Sequence, residues 1–212
     1  MLALLHTSPL HIPVFDALRD EDHPGLELRH SVAPELLARA RREGPEAVAS
    51  DVTAALRRAA AEGVRAVLCT CSTIGEIAEL AADEVGVPVV RGDRPMAAAA
   101  VTVGPRIAVL ATVESTLAPT LALVGDEARL AHRPIRARVQ VVADAWTHFE
   151  AGDIEGCARL VAAAVDAVTD ADVIVLAQAS MASAQRLTTT KVPLLSSPRP
   201  GLAAAARAAH TG

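Results

Sequence analysis

The hydrophobic positions of this chain fall into short solid runs, set between longer segments in which apolar residues recur every three to four positions. The solid runs lie at 1–6, 66–69, 106–111 and 172–176. They are too short for buried helices and rich in Val, Leu and Ile, so they predict strands covered on both faces. Each stops abruptly at small polar residues, reading HTSP, CTCST, ATVEST and AQASM. Weaker strands are predicted at 26–30, where LEL-H alternates, and at 87–90, 136–142 and 192–195. The periodic segments predict helices at 33–42, 46–62, 74–83, 94–103, 117–124, 152–168 and 202–209. Pro45 and Gly63 bracket the second of these in the proline-first, glycine-last pattern. Pro9 and Pro13 predict a loop with a short helix from about Val14, 146–151 a turn with some helix, and SSPRPG a turn. Strands alternating with helices of this length predict an α/β fold with mainly parallel sheets.

Side by side, the elements repeat. In each half a strand with a polar end is followed by a long helical stretch and a second such strand. Thr7 to Cys71 spans 64 positions and Thr112 to Gln178 spans 66. The pattern predicts a duplicated α/β unit, its two copies facing each other across a cleft lined by four strand-end loops.

Composition narrows the function. The chain has 212 residues, 51% of them hydrophobic, and its only aromatics are Trp146, Phe15 and Phe149, with no tyrosine. That argues against a stacking surface for bases. A net charge of −5 with no basic cluster argues against nucleic acid as a partner. No apolar run reaches membrane-spanning length. The opening MLALLHTSPLHIP lacks the basic start and the long apolar run of a signal peptide. Three cysteines, two of them two positions apart, do not form a disulfide framework. The expectation is a soluble, reduced, cytoplasmic protein. Assembly into homo-oligomers is compatible with the sequence, which fixes no number of copies.

The candidate chemistry gathers at the strand ends. Cys71 follows a buried strand and precedes a helix, where free backbone N–H groups and the positive end of the helix dipole favour thiolate over thiol. The alternative is a small buried hydrophobe, as most free cysteines are. Ser72 and Thr73 share that helix start, a ready anion site. Thr7, Ser8, Thr112, Ser115 and Thr116 sit at equivalent ends and are read either as carboxylate contacts or as caps and turn formers. His6 and His11 flank the first strand end, as proton carriers or as structural residues. Ser196 and Ser197 follow the last strand. Cys69 is read as core, Cys157 as helix packing, and Asp144 with His148 as a solvated helix face. No metal-ligand set and no glycine-rich phosphate loop is present, so neither a metal nor a nucleotide cofactor is expected.

Taken together these residues resemble the aspartate/glutamate/hydantoin racemase superfamily, which also holds maleate isomerase and arylmalonate decarboxylase. Cys71-Ser72-Thr73 is similar to the family's first cysteine motif. The ATVEST segment resembles its Ala-Thr-x-x-Thr loop, with Thr112, Ser115 and Thr116. LAQASMA at 176–182 resembles the second motif as hydantoin racemases write it, leucine-glycine-cysteine-alanine-glycine-methionine. The resemblance covers nearly the whole chain. It implies two α/β subdomains related by a pseudo-twofold axis, residues 1–95 with 198–212 carrying Cys71 and residues 96–197 carrying Thr112 and Gln178, with the active site between them. It further implies chemistry without a cofactor on a small carboxylate, amino acid or hydantoin. One thiolate removes the proton beside a carboxylate and a second thiol returns one to the opposite face, while hydroxyls and loop N–H groups hold the enediolate.

The sequence departs from that pattern at one position. Gln178 stands where the second cysteine belongs, and an amide neither gives nor accepts a proton near neutral pH. Ser180, or a histidine, is the candidate replacement, but a hydroxyl is a far weaker acid than a thiol. Three readings follow: a one-thiol decarboxylase, an isomerase or hydrolase with Cys71 as nucleophile, and a family member that only binds a small acid.

Overall fold

A computed structural model describes residues 1–211; Gly212, counted above with the first subdomain, lies outside the described residues. Two compact units divide the chain, one built from Met1–Asp93 with the segment from Pro198 onward and the other from Arg94–Ser197.

The first unit runs β1 (Leu2–His6), α1 (Ile12–Asp22), β2 (Leu28–Val32), α2 (Pro34–Glu43), α3 (Ala49–Ala60), β3 (Val67–Cys69), α4 (Gly75–Leu80), α5 (Ala82–Val85) and β4 (Val89–Arg91), with α10 (Pro198–Thr211) joining it at the end. Its four strands lie in the order β2-β1-β3-β4, all parallel. β1 and β3 are central and buried on both faces, which is why they read as unbroken apolar runs. On one face Leu5, Val67 and Cys69 meet Leu36 of α2, Val52 and Leu56 of α3 and Ala78 of α4. On the other, Leu2, Leu4 and Leu68 meet Phe15 of α1 and Leu202 and Ala205 of α10. In α3 the buried Val52, Ala55, Leu56 and Ala59 recur at helical spacing, so a single stripe carries the packing.

The second unit runs α6 (Arg94–Val103), β5 (Arg106–Ala111), α7 (Leu117–Leu130), β6 (Arg136–Val141), α8 (Ala145–Glu150), α9 (Ile154–Asp166), β7 (Val173–Leu176) and β8 (Leu194–Ser196), with a 3-10 segment Ala179–Arg186 between the last two strands. Its sheet is also parallel, in the order β6-β5-β7-β8. Counted within each unit, that order equals the order in the first, so the duplication read from the sequence extends to the topology. No described helix is long and apolar enough to cross a membrane.

Several expectations change, among them the helix expected at 74–83, which breaks at Ala81 into α4 and α5. SSPRPG is no turn: α10 begins at Pro198, because the N–H that proline lacks is not needed in a helix's first turn. Gly201 in that helix lies against the turn after β4, where any Cβ would strike the Gly92 carbonyl. The helix expected at 117–124 continues through Gly125 to Leu130, because Ala128 extends its buried stripe. The one expected at 46–62 splits into a 3-10 turn, Pro45–Val48, and α3. β6 does not alternate; as an edge strand it is exposed along its whole length.

Candidate active site

Strand register sets the geometry of both sets of strand ends. In the first unit Leu5 pairs with Cys69, so Thr7 and Cys71 are the partners two positions further on. In the second, Leu110 pairs with Leu176, which makes Thr112 and Gln178 the equivalent partners. Both pairs are joined by side chains. The Thr7 hydroxyl hydrogen-bonds Cys71. Gln178 Oε1 accepts from the Thr112 N–H at 2.6 Å and from the Thr112 hydroxyl at 3.0 Å. The glutamine carbonyl is thereby used, and its NH2 group is left as the donor. Gln178 thus stands in the second unit at the register position that Cys71 holds in the first.

Cys71 is extended, the last such residue before a 3-10 turn, Ser72–Ile74, that leads into α4. The backbone N–H groups of Thr73 and Ile74 turn toward its sulfur. Burial is the largest influence on the thiol and pushes its pKa up. The Thr7 hydroxyl and the two N–H groups pull it down, and Asp93 pushes it up again. The balance lies above the ordinary cysteine range, so the resting group at neutral pH is the thiol. The helix start was expected to favour thiolate. α4 has only six residues, and so short a helix offers too little dipole to outweigh desolvation. Of the three free cysteines only Cys71 keeps partial exposure; Cys69 and Cys157 are buried, and burial pushes them up to about 12 and about 11.

Ser72 and Thr73 are buried in the turn after Cys71. The Ser8 hydroxyl accepts from the Leu10 N–H at 3.3 Å, which makes it the cap of the turn before α1. In the second unit Thr116 is buried at the start of α7, and the Ser115 and Ser180 hydroxyls are enclosed with no hydrogen-bond partner among the described residues. Ser180 follows Gln178 by two positions, as Thr73 follows Cys71. His148 Nδ1 meets Asp153, the cap of α9, at 2.7 Å, with both side chains exposed.

Sequence reasoning passed over several residues. Arg91 and Asp93 form an ion pair at 2.7 Å with both side chains 2% exposed, and the Arg91 chain lies against Gly75 at the start of α4. Their closeness in sequence, RGD after a strand, was the available signal. His6, read as flanking the strand end, is fully buried and bonded to Thr70 and His30. Thr70, within the CTCST motif, stands 64 positions after His6, the separation that links Thr7 to Cys71. Among the described residues, no group of three or more His, Cys, Asp or Glu side chains is placed to hold a metal ion.

Solved structures share this architecture. A glutamate racemase from Bacillus anthracis superposes with a TM-score of 0.74 at 17% identity, over 100% of this chain and 82% of its own. Picrophilus torridus aspartate racemase gives 0.71 at 13%, over 99% and 94%. A glycine-to-cysteine mutant of arylmalonate decarboxylase in a sulfate-associated form gives 0.68 at 19%, over 100% and 94%. At these identities the likeness speaks for the fold. No curated protein matches the sequence. The sequence pattern of the Asp/Glu/hydantoin racemases does match it, from residue 13 to residue 208, and on that span the chain belongs to the Asp/Glu/hydantoin racemase family.

Proposed function

We propose that this protein is a cofactor-independent enzyme that moves a proton at the carbon beside a carboxylate or similar carbonyl of a small acid, amino acid or hydantoin, with Cys71 as the proton-carrying group. One observation supports this above the rest. Cys71 is the partly exposed thiol at a strand end, and the register-equivalent position of the second unit holds Gln178. When the sulfur loses its proton, the Thr7 hydroxyl and the Thr73 and Ile74 N–H groups stabilise the thiolate. In this reading Ser8, Ser72 and Thr73, and at the second unit's strand ends Ser115, Thr116, Ser180 and the Gln178 NH2, hold the substrate's oxygens as charge develops, while the Thr7 and Thr112 hydroxyls orient Cys71 and Gln178. Because the Gln178 amide neither gives up nor takes on a proton near neutral pH, protons leave and return through the single thiol, and ordinary two-base racemisation does not follow.

The raised pKa of Cys71 favours a second reading, a one-thiol decarboxylase. Loss of CO2 from a substituted malonate breaks the C–C bond and leaves its electron pair as an enediolate. The Cys71 thiol gives that carbon its proton and recovers one from solvent. This order suits a sulfur that rests protonated.

The test is to incubate amino acids, hydantoins and substituted malonates with the protein in heavy water, following deuterium at the α-carbon and release of CO2. Exchange without CO2 release selects the first reading, and CO2 release with single deuteration the second. In either case Cys71→Ala should lower the rate by roughly 10²–10⁴-fold, the usual worth of a positioned proton-transfer group. Unchanged turnover in that variant would remove Cys71 from the mechanism.

A further inference from the structure

The ladder between β1 and β3 closes where the Thr70 N–H donates to the Leu5 carbonyl at 3.1 Å, and in the second unit the Ala177 N–H donates to the Leu110 carbonyl at 2.9 Å. The next side-chain rung is where the units differ. The second unit places Ala111 and Ala177 there, both buried. The first places His6 and Thr70, with Nδ1 and Oγ1 2.9 Å apart. Behind them a chain continues: His6 Nε2 lies 2.9 Å from His30 Nδ1, and His30 Nε2 lies 3.3 Å from Asp16 Oδ1. The same topology closes the equivalent rung with two methyl groups, so the fold does not require this chain. A buried polar chain costs desolvation that an apolar pair avoids. It lies one position before the Thr7–Cys71 pair and joins the two strands that carry it.

Hydrogen-bond polarity gives the chain two complete arrangements. With both imidazoles neutral, the Thr70 hydroxyl donates to His6 Nδ1, His6 Nε2–H donates to His30 Nδ1, and His30 Nε2–H donates to Asp16. With one more proton, His30 donates from both nitrogens, to Asp16 and to His6 Nε2. His6 then donates from Nδ1 to Thr70, whose hydroxyl turns to the Leu5 carbonyl, 3.1 Å away. Every bond between Thr70 and Asp16 survives, every direction between Thr70 and His30 reverses, the Thr70 hydroxyl reaches the Leu5 carbonyl only in the protonated arrangement, and the added charge sits beside the Asp16 carboxylate.

We propose that His6, backed by His30 and Asp16, is a positioning residue for Cys71, and that the chain takes up one proton from solvent as a two-state setting of the strand end that carries that thiol. The role rests on the reading of Cys71 given above. Burial, with His11 and His30 nearby, lowers the His6 pKa to about 3, so His6 stays neutral in both states. The other groups facing the chain are few. The His11 ring is 6.1 Å from His6, and Phe15 of α1 covers the His6 ring. Arg19 of α1 is 3.4 Å from Asp16. From α10 come the apolar Leu202, Ala205 and Ala209, while Arg199 is paired with Glu21 and Asp22 and His210 with the Ala206 carbonyl.

The test uses the intact protein without substrate, so its outcome is separate from that of the turnover experiment. Imidazole nitrogen NMR between about pH 5 and 8 should show His6 passing from the Nε2–H to the Nδ1–H tautomer at the midpoint where the chain takes up its proton. Alkylation of Cys71 by iodoacetamide should show an inflection at the same midpoint. Asp16→Asn keeps an acceptor but removes the charge. It should move both midpoints acidward by about one pH unit with the circular dichroism spectrum unchanged. His6→Asn should abolish the inflection while retaining a donor toward Thr70. A single His6 tautomer throughout the range, or an Asp16→Asn alkylation profile that overlays the wild type, would overturn the proposal.

Discussion

Moving from pH 7 to pH 5 offers protons to two imidazoles that the fold has no room to charge. His6 is fully buried and His11 nearly so; burial lowers their pKa values to about 3 and about 4. An unfolded chain titrates both near 6.5, so below that pH the unfolded state binds protons that the folded state refuses. Stability is therefore intact above about pH 7, falls as the pH drops through 6.5, and stops falling for this reason only once the folded pKa values are passed. Each group contributes about 1.4 kcal/mol per pH unit in that window, and the pair about 4 kcal/mol between pH 7 and 5. A loss of that size is a large part of a typical domain's stability. The result depends little on the folded values, provided both stay well below 5. Asp153, Asp166 and Asp172 also have shifted pKa values, but theirs lie below the ordinary carboxylate value and act at more acid pH. Urea unfolding followed by far-ultraviolet circular dichroism, at half-unit steps from pH 7 to 5, measures the slope. His11→Gln should halve the dependence. Stability that changes by less than about 1 kcal/mol across this range would refute the burial argument.

Three further outcomes follow from packing and polarity. Gly201→Ala drives a methyl group into the Gly92 carbonyl; it should destabilise by about 1–3 kcal/mol, read as a lower urea midpoint, and an unchanged midpoint would contradict the close approach of α10. Gln178→Leu strips the acceptor from the buried Thr112 N–H and should cost about 1–3 kcal/mol by the same measurement. Asp93→Asn removes a charge that raises the Cys71 pKa, so the pH midpoint of Cys71 alkylation should fall. Because Arg91 loses its buried carboxylate partner, the same variant should be less stable by about 3–5 kcal/mol.

The parts of the fold legible in the sequence are those with a local cause. β1, β3, β5 and β7 are central strands of parallel sheets, and burial on both faces writes them as solid apolar runs. Their polar ends mark where the chain leaves the sheet, which brought Thr7, Cys71, Thr112 and Gln178 forward without coordinates. The start of α10 was misread because Pro198 and Pro200 signal a turn and a helix start equally well. The His6–His30–Asp16 chain was invisible for a different reason. His30 reaches His6 across 24 positions, and Asp16 reaches His30 from a helix, so only the register of β2 against β1 brings them together. The state of the Cys71 thiol was also out of reach, because it depends on how deeply the turn is buried, and motifs carry no depth.

The claim on which the account turns is that one sulfur, that of Cys71, carries every proton of the proposed reaction. Chiral analysis of an α-deuterated product tests it most directly: a substrate enantiomer that exchanges in heavy water should keep its configuration with wild-type protein. Recovery of both enantiomers at equal deuterium content would show a second proton carrier and contradict the account.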